Sequence, residues 1–330
     1  MRAVVVREWT DPKDLQVDSL PVRDPDAGEV RIAVHAAGLN FADTLIVAGK
    51  YQEKPPFPFS PGMEAAGKIE AVGAGVTGLN EGDRVMALTG HGSFAERCVT
   101  AAKRVLKIPD SMGFADAAAF PVAYGTSHLA LRHRGRLQAG ETLLVHGAAG
   151  GVGLTAVQIG KVLGARVIGT ARGAGKRAIA EANGAEETID YSEEDVRSRV
   201  LELTGGKGAN VIYDPVGGDV FDASLRCIAW EGRLLVIGFA AGRIPQAPAN
   251  YLLLKNAAAV GVFWGAYMKN DPAVILAGFE ELLGWYADGL LKPHISATFA
   301  LEETAAAMAM LLGRKSTGKV VITTGAEAQG

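Results

Sequence analysis

The segment VHGAAGGVG, residues 145–153, follows a predicted strand and opens a predicted helix. Read as A-x-G-x-x-G, this spacing predicts a tight turn at Ala148, close approach of a pyrophosphate at Gly150 and close helix–strand packing at Gly153. Free backbone N–H groups and the helix dipole favour an anion at this helix start. A ligand-free strand–helix turn is the alternative, and the strands and helices around it favour the dinucleotide site.

The end of the next strand discriminates between nicotinamide cofactors. An NAD site places a carboxylate there, where it accepts a hydrogen bond from the ribose 2′-hydroxyl. The segment TARGAGK, residues 170–176, contains no acid and supplies Arg172 and Lys176 instead. An arginine can hold a phosphate through two parallel donors, so we expect NADP(H). The alternative is that both are solvated charges at a helix start.

Composition limits what kind of protein carries these motifs. A length of 330 residues favours two domains. The net charge of −3 argues against a non-specific nucleic-acid binder, and 42 glycines exceed the average content. Cys98 and Cys227 stand far apart, which excludes a disulfide framework and a zinc site built from paired cysteines. With neither a signal peptide nor a membrane span predicted, we expect a soluble cytoplasmic protein.

Two architectures are predicted, with a change of character near Pro121. Short strands separated by turns indicate a small β-barrel or sandwich before that point. After it, strands alternate with helices, which predicts a parallel sheet with helices on both faces. The early strands are expected at 2–6, 30–36, 65–72, 84–87, 95–99 and 105–108. The later strands are expected at 142–146, 166–170, 187–190, 210–214, 233–237 and 258–263. The helices between and after these are expected at 154–163, 176–183, 193–204, 220–227, 272–288 and 303–312, with tail strands at 295–299 and 319–323.

Five motifs identify a resemblance that covers the whole chain. They are Gly140–Gly153, Gly38–Thr44, Pro61–Gly67, Tyr213–Gly218 and Gly318–Val321. The chain resembles the quinone oxidoreductase/zeta-crystallin family of the medium-chain dehydrogenase/reductase superfamily. The resemblance implies a GroES-like β-barrel catalytic domain over 1–120, a six-stranded Rossmann NADP(H)-binding domain over 121–265, and a segment over 266–330 that returns to the catalytic domain. It also implies an active site in a cleft between the domains and a homodimer.

Two positions indicate that this chain needs no zinc. Zinc-dependent relatives carry a cysteine where Asn40 stands and a histidine where Met63 stands. Neither replacement is expected to hold zinc, and the four clustered cysteines of a structural zinc lobe are missing. We therefore expect a zinc-free member with no metal site.

Without a metal, side chains must stabilise the negative charge that hydride transfer builds on a carbonyl oxygen. Asn40 is an apt hydrogen-bond donor, and Tyr51 can donate and then supply a proton. The family places an asparagine and a tyrosine near the quinone at matching positions. Leu45 stands where some relatives have a second tyrosine, so proton supply here relies on Tyr51 or water. The alternatives are a loop asparagine bonded to its own backbone and an ordinary half-buried tyrosine.

The resemblance also implies a set of cofactor contacts. Tyr191 and Arg314 would join the two basic side chains at the 2′-phosphate, although Tyr191 could equally be a surface residue. The full set is Thr126, Gly150, Gly151, Val152, Gly153, Arg172, Lys176, Tyr191, Val216, Gly238, Phe239, Phe263, Trp264, Gly265 and Arg314. The positions around 238–240 and 263–265 would flank the nicotinamide, since ligands of open α/β sheets collect at the carboxyl ends of the strands.

These observations predict an NADPH-dependent, metal-free reductase of quinones or other conjugated carbonyls. A reductase of 2-enoyl-CoA thioesters or small enones is the alternative, and it would need a basic channel for its long anionic substrate. A non-catalytic NADPH-binding or RNA-binding protein is a further alternative, which the net charge disfavours for RNA.

Overall fold

The computed structural model describes residues 1–325. Its strands, numbered in chain order, are β1 Arg2–Val4, β2 Val17–Ser19, β3 Glu29–Leu39, β4 Glu64–Val72, β5 Arg84–Leu88, β6 Arg97–Ala101, β7 Val105–Lys107, β8 Thr142–Val145, β9 Arg166–Thr170, β10 Glu187–Ile189, β11 Ala209–Asp214, β12 Ile228–Val236, β13 Ala258–Gly261, β14 Ile295–Ala300 and β15 Lys319–Thr323. Nearly all were predicted; β2 was missed.

The helices follow the same pattern. They are α1 Phe41–Val47, α2 Phe114–Ala118, α3 Pro121–His128, α4 Gly151–Val162, α5 Ala174–Ala182, α6 Val196–Leu203, α7 Gly218–Cys227, α8 Ala249–Lys255, α9 Trp264–Asn270, α10 Pro272–Ala287 and α11 Thr304–Leu312. A π-helical turn, Leu129–Arg134, continues α3. Four helices missed from the sequence, α1, α2, α8 and α9, have only five to seven residues, too few for periodicity to reveal.

The chain divides into two compact units. The terminal unit comprises Met1–Val122 and the segment that begins at Pro293, and the central unit comprises Ala123–Lys292. The sequence-based boundary at 265 differs from this division. Helix α10 packs inside the central unit, where Glu281 accepts from His128 at 2.6 Å and Gly278 faces the same imidazole, so residues 266–292 stay with that unit.

The terminal unit is GroES-like and built on a mostly antiparallel sheet, in which only β14 and β15 pair in parallel among the described strands. Its strands follow the order β14-β15-β3-β4-β5-β7, and β6 pairs with β3. Strand β3 alternates half-buried and buried residues, as expected when one face covers a core. A cluster of buried aliphatic and aromatic side chains, including Ile32, Phe59 and Ile322, forms that core.

The central unit is a Rossmann-like parallel sheet with the order β10-β9-β8-β11-β12-β13. Strands β8 and β11 are neighbours although two strands lie between them in the chain, so the order of strands reverses at that place. The carboxyl ends of β8, β9 and β11 are therefore where a ligand is expected, and each is followed by a glycine-containing turn.

Candidate active site

The glycine turn after β8 has its left-handed residue at Gly147, which has a φ of 60°. This corrects the expectation that Ala148 makes the tight turn. Ala148 is instead buried, and its N–H donates to Thr170 O at 2.9 Å, which ties the turn to β9. A residue with a Cβ rarely adopts such a φ, so the turn requires glycine at 147.

The N-terminus of α4 is held close to this turn. A Cβ at Gly153 would overlap the carbonyl oxygen of Gly147, so this glycine allows the close packing that the motif predicts. The Ser127 hydroxyl lies 2.9 Å from Val152 O and 2.8 Å from the Thr155 hydroxyl, which anchors the first turn of α4 from the side. No side chain caps this helix, whose N-cap is Gly150. Its first-turn amides therefore point to an acceptor outside the helix.

At the end of β9 the structure adds an acid that the sequence interpretation missed. The buried Asp190 follows β10, and its Oδ2 accepts from Gly173 N at 2.7 Å. Its Oδ1 accepts from Ser192 N at 3.1 Å and Ser192 Oγ at 2.6 Å. These bonds, led by that of the Ser192 hydroxyl, hold the pKa of Asp190 below its usual range. Both oxygens are thus engaged within the protein.

The basic side chains of this region lie on the turn that Asp190 anchors. Arg172 is exposed and Lys176 is half-buried in the first turn of α5. Gly173 between them has a φ of 80°, and a Cβ there would meet open space. Tyr191, next to Asp190, is exposed. The central unit thus places two cations and an aromatic ring around a turn whose Gly173 N–H is held by the Asp190 carboxylate.

Arg314, the remaining predicted phosphate contact, lies in the terminal unit. It is exposed just beyond α11 and has a left-handed φ of 55°. Its contact with a cofactor stays a prediction.

The turn after β11 presents backbone where a nicotinamide is expected. The buried Asp214 carboxylate accepts from Val216 N at 2.8 Å and from Gly217 N at 2.9 Å. Phe239 follows β12, is exposed, and would meet a Cβ placed at Gly217 at 3.1 Å. Gly238 beside it faces only the Pro215 backbone within 4 Å. The carboxyl ends of β11 and β12 therefore present open backbone and the Phe239 ring.

The residues after β13 depart partly from expectation. Phe263 is exposed, whereas Trp264 is 7% exposed and its ring lies against Gly125 and edge-on to Phe279. An indole packed there cannot stack on a cofactor, so only the backbone of Trp264 remains available for the predicted contact. Gly265 has space around its Cα, and Thr126 is largely buried on α3.

In the terminal unit, Asn40 stands at the junction of β3 and α1, where it belongs to a buried polar network. Its Nδ2 donates to Glu64 Oε1 at 2.7 Å and makes only a long contact, 3.4 Å, to Gly38 O. Its Oδ1 accepts from Lys319 Nζ at 2.7 Å. Asn40 is thus more than a loop asparagine bonded to its own backbone.

Lys319 and Glu64 form a buried ion pair at 2.8 Å. Lys319 is 4% exposed and Glu64 is fully buried. The second Glu64 oxygen accepts from Val122 N at 2.7 Å, and the ammonium also donates to Leu39 O at 3.0 Å. Neither charge is left unsatisfied, which a buried pair requires.

Asp43 adds a second buried carboxyl to this network. It accepts from the Asn40 backbone N–H at 2.8 Å, which places it beside the ion pair. Burial raises the pKa of Asp43 to about 7, opposed mainly by the Asn40 amide and the Lys319 charge and supported by the Glu64 charge. This group therefore changes its charge near neutral pH.

Tyr51 lies in the loop after α1, half-buried against the hydrophobic core of the terminal unit. Burial raises the pKa of its phenol, and the charges of Glu53 and Asp43 add to this effect. Tyr51 therefore stays protonated at neutral pH and can donate. Tyr51 lies close enough to Asp43 for that charge to affect its phenol, and α1 separates it from Asn40 in the chain.

The sequence motifs that contain Glu64 and Lys319 indicate no role for either residue. A lysine that opens an otherwise apolar strand, KVVIT, is the signal that could have found Lys319. Nothing in the sequence alone indicates that its partner is Glu64, since 255 residues separate them in the chain.

Residues 1–325 contain no group of three or more His, Cys, Asp or Glu side chains placed to hold a metal ion. Within the same residues, no helix has the length and apolar character needed to cross a membrane.

Family models match both parts of the chain. The model described as "Alcohol dehydrogenase GroES-like domain" matches residues 26–110, and the model described as "Zinc-binding dehydrogenase" matches residues 151–278.

Similar proteins extend the match over nearly the whole chain. The quinone oxidoreductase-like protein 2 homolog of Nematostella vectensis is 47% identical, over 98% of this chain and 89% of that protein. The structure of Pseudomonas syringae quinone oxidoreductase is similar with a TM-score of 0.92 and 36% identity, over 98% of this chain and 99% of that one. The structure of Escherichia coli quinone oxidoreductase complexed with NADPH is similar with a TM-score of 0.91 and 30% identity. The match covers 98% of this chain and 100% of that one.

Proposed function

The chain belongs to the quinone oxidoreductase family of the medium-chain dehydrogenase/reductase superfamily, and on that premise we propose that it is an NADPH-dependent reductase of quinones or other conjugated carbonyls. The observation that carries the proposal is the turn after β9. Arg172 and Lys176 flank it, while the Asp190 carboxylate already accepts from Gly173 and Ser192 within the protein. The NADPH bound in the similar Escherichia coli structure supports the same cofactor here.

The central unit fits such a cofactor. The uncapped amides of α4 suit a pyrophosphate, the basic turn suits a 2′-phosphate, and the open backbone at Val216 and Gly238 suits a flat ring. When bound, NADPH supplies a hydride. These groups of the protein would bind and orient the cofactor.

The terminal unit supplies the groups for the acceptor in this proposal. Asn40 donates through Nδ2 to the carbonyl oxygen, on which negative charge grows. Tyr51, protonated at neutral pH, supplies the proton that completes reduction. We propose that the reaction needs no metal, because an asparagine and a methionine replace two zinc ligands and Lys319 already binds the Asn40 oxygen and Glu64.

The cofactor assignment is tested with the double variant Arg172→Ala/Lys176→Ala. Each lost charged hydrogen bond is worth about 1.5–3 kcal/mol, so we expect the loss of two to raise the KM for NADPH by roughly 10²- to 10⁴-fold. The KM for NADH is expected to stay unchanged. The measurement is steady-state kinetics with both cofactors and one quinone.

A matched control removes two positive charges at the opposite edge of the sheet. Lys207 precedes β11 and Arg226 lies in the last turn of α7, and both are exposed. Lys207→Ala/Arg226→Ala is expected to leave both KM values unchanged. If the first double variant kept its preference for NADPH, the phosphate assignment would be wrong.

The acceptor class is tested by NADPH oxidation with 1,4-benzoquinone, 9,10-phenanthrenequinone, short enones and an enoyl-CoA thioester. The highest kcat/KM is expected for a quinone. A much higher value for the enoyl-CoA ester would replace this proposal with the thioester alternative.

We also propose a homodimer that forms through the free edge of β13. This strand pairs only with β12 among residues 1–325. Exposed apolar side chains lie on the same unit, with Leu253 at 76% and Leu254 at 70% exposure on α8. An unpaired strand edge with nearby apolar surface favours pairing with a second chain.

A further inference from the structure

The Lys319 ammonium uses all three of its hydrogens inside the protein. They go to Leu39 O at 3.0 Å, Asn40 Oδ1 at 2.7 Å and Glu64 Oε1 at 2.8 Å. With no donor left and 4% exposure, Lys319 cannot itself contact a substrate. Any effect that it has on the reaction must pass through the groups it binds.

Lys319 and Glu64 together determine which way the Asn40 amide points. An ammonium only donates and a carboxylate only accepts, so the amide oxygen must face Lys319 and the amide nitrogen must face Glu64. One Nδ2 hydrogen is used by Glu64. The other has only the contact of 3.4 Å to Gly38 O, which a better acceptor can replace.

The ammonium also changes the strength of that donor. A cation bound to an amide oxygen withdraws electron density from the amide nitrogen, so its hydrogens become better donors in a buried network. Lys319 further cancels the charge of Glu64, which alone would oppose a growing negative charge on a bound carbonyl.

We propose that Lys319 is a positioning residue that orients and polarises the Asn40 amide so that its second Nδ2 hydrogen is donated to the carbonyl oxygen of the acceptor. This inference rests on the proposed function, which assigns that oxygen to Asn40. It adds that the buried ammonium acts where zinc-dependent relatives would use a metal, by polarising the donor instead of the substrate.

A double-mutant cycle tests whether Lys319 acts through Asn40. Asn40→Ala is expected to lower kcat for 9,10-phenanthrenequinone by about 10²-fold, the typical cost of one such donor. Lys319→Met is expected to lower kcat by at least about tenfold while the Kd for NADPH stays unchanged. In the Asn40→Ala background, Lys319→Met should cost no more than about a further twofold.

Independent, multiplicative losses in that cycle would overturn the proposal, and so would wild-type kcat in Lys319→Met. Because breaking one side of a buried ion pair destabilises a protein, a charge-balanced variant is needed as well. Lys319→Met/Glu64→Gln removes both charges, and its folding is checked by thermal unfolding. It is expected to keep the low kcat; recovery of wild-type kcat would show that Lys319 only neutralises Glu64.

A spectroscopic measurement keeps this inference distinguishable from the proposed function. In ¹⁵N-labelled wild-type protein, the Asn40 side-chain amide is expected to give two dispersed signals that are protected from exchange with solvent. In the charge-balanced variant they should move towards free-amide shifts and exchange faster. Unchanged signals would contradict the positioning role even if no quinone were reduced, whereas changed signals with no quinone reduction would contradict only the proposed function.

Discussion

At Asn40, the structure shows that a candidate catalytic side chain already has partners on both polar atoms. Lys319 and Glu64 hold its amide, and Asp43 holds its backbone N–H. The residue type predicts a hydrogen-bond donor, but the partners decide which hydrogen is available and how strongly it is polarised. The proposed role of Asn40 therefore involves three buried titratable groups, Asp43, Glu64 and Lys319.

The titration of Asp43 leads to a prediction for activity. Its pKa of about 7 means that the carboxyl is neutral at lower pH and negative at higher pH. The added charge lies beside Lys319, Glu64 and the backbone amides of Asn40 and Gly62, and it opposes negative charge on the acceptor oxygen. We expect kcat/KM to fall as pH rises through about 7, and we expect Asp43→Asn to flatten that limb of the pH profile.

The same group affects stability with a definite sign. Its pKa in the folded state lies above the ordinary value of 3.8, so the folded protein binds more protons than the unfolded chain between these values. The contribution of Asp43 to the free energy of unfolding is therefore greatest below about 4 and is lost as pH rises through about 7. Urea unfolding at several pH values measures this loss. Between pH of about 4 and about 7, the free energy of unfolding should fall less in Asp43→Asn than in the wild type, and an equal fall in both would contradict the raised pKa.

At the scale of elements, the cofactor site depends on how closely α4 packs on the turn before it. Gly153 has no room for a side chain because the Gly147 carbonyl fills the space of its Cβ. We expect Gly153→Ala to destabilise the protein by about 1–3 kcal/mol and to weaken NADPH binding by displacing the α4 amides. Thermal unfolding and NADPH fluorescence titration measure these two effects.

Gly284→Ala is the matched control. Gly284 is an exposed helical residue of α10 with open space at its Cβ. Alanine there should stabilise the helix by about 0.5–1 kcal/mol and leave NADPH binding unchanged. Normal NADPH affinity in Gly153→Ala would show that the α4 amides do not hold the cofactor.

Most elements were predictable because apolar periodicity and turn residues mark them locally. The positions of the strands of the central unit follow from such signals, and β9 and β15 have the predicted bounds. The hydrogen bond between Asp190 and Gly173 and the packing of the Trp264 ring against Phe279 were not predictable. Each depends on contacts between different elements of the central unit. The position of the left-handed turn residue at Gly147 needed backbone angles that the motif alone does not specify.

At the scale of the whole molecule, the proposed homodimer can be tested at its edge. Leu253→Glu/Leu254→Glu places two charges on the exposed apolar side chains of α8, close in sequence to β13. We expect the molar mass measured by light scattering after size-exclusion chromatography to fall from that of two chains to that of one. The same double change at the exposed Leu276 and Leu290 should leave the mass unchanged. A wild-type mass of one chain would exclude the dimer.

The central claim is that the protein transfers hydride from NADPH to a quinone. The most direct measurement is the primary kinetic isotope effect on quinone reduction with NADPH deuterated at the transferred C4 position, compared with NADH under the same conditions. We expect rapid NADPH oxidation that depends on the quinone, a clear slowing with the deuterated cofactor and a much lower kcat/KM with NADH. No quinone-dependent oxidation of NADPH, or equal efficiency with NADH, would contradict it.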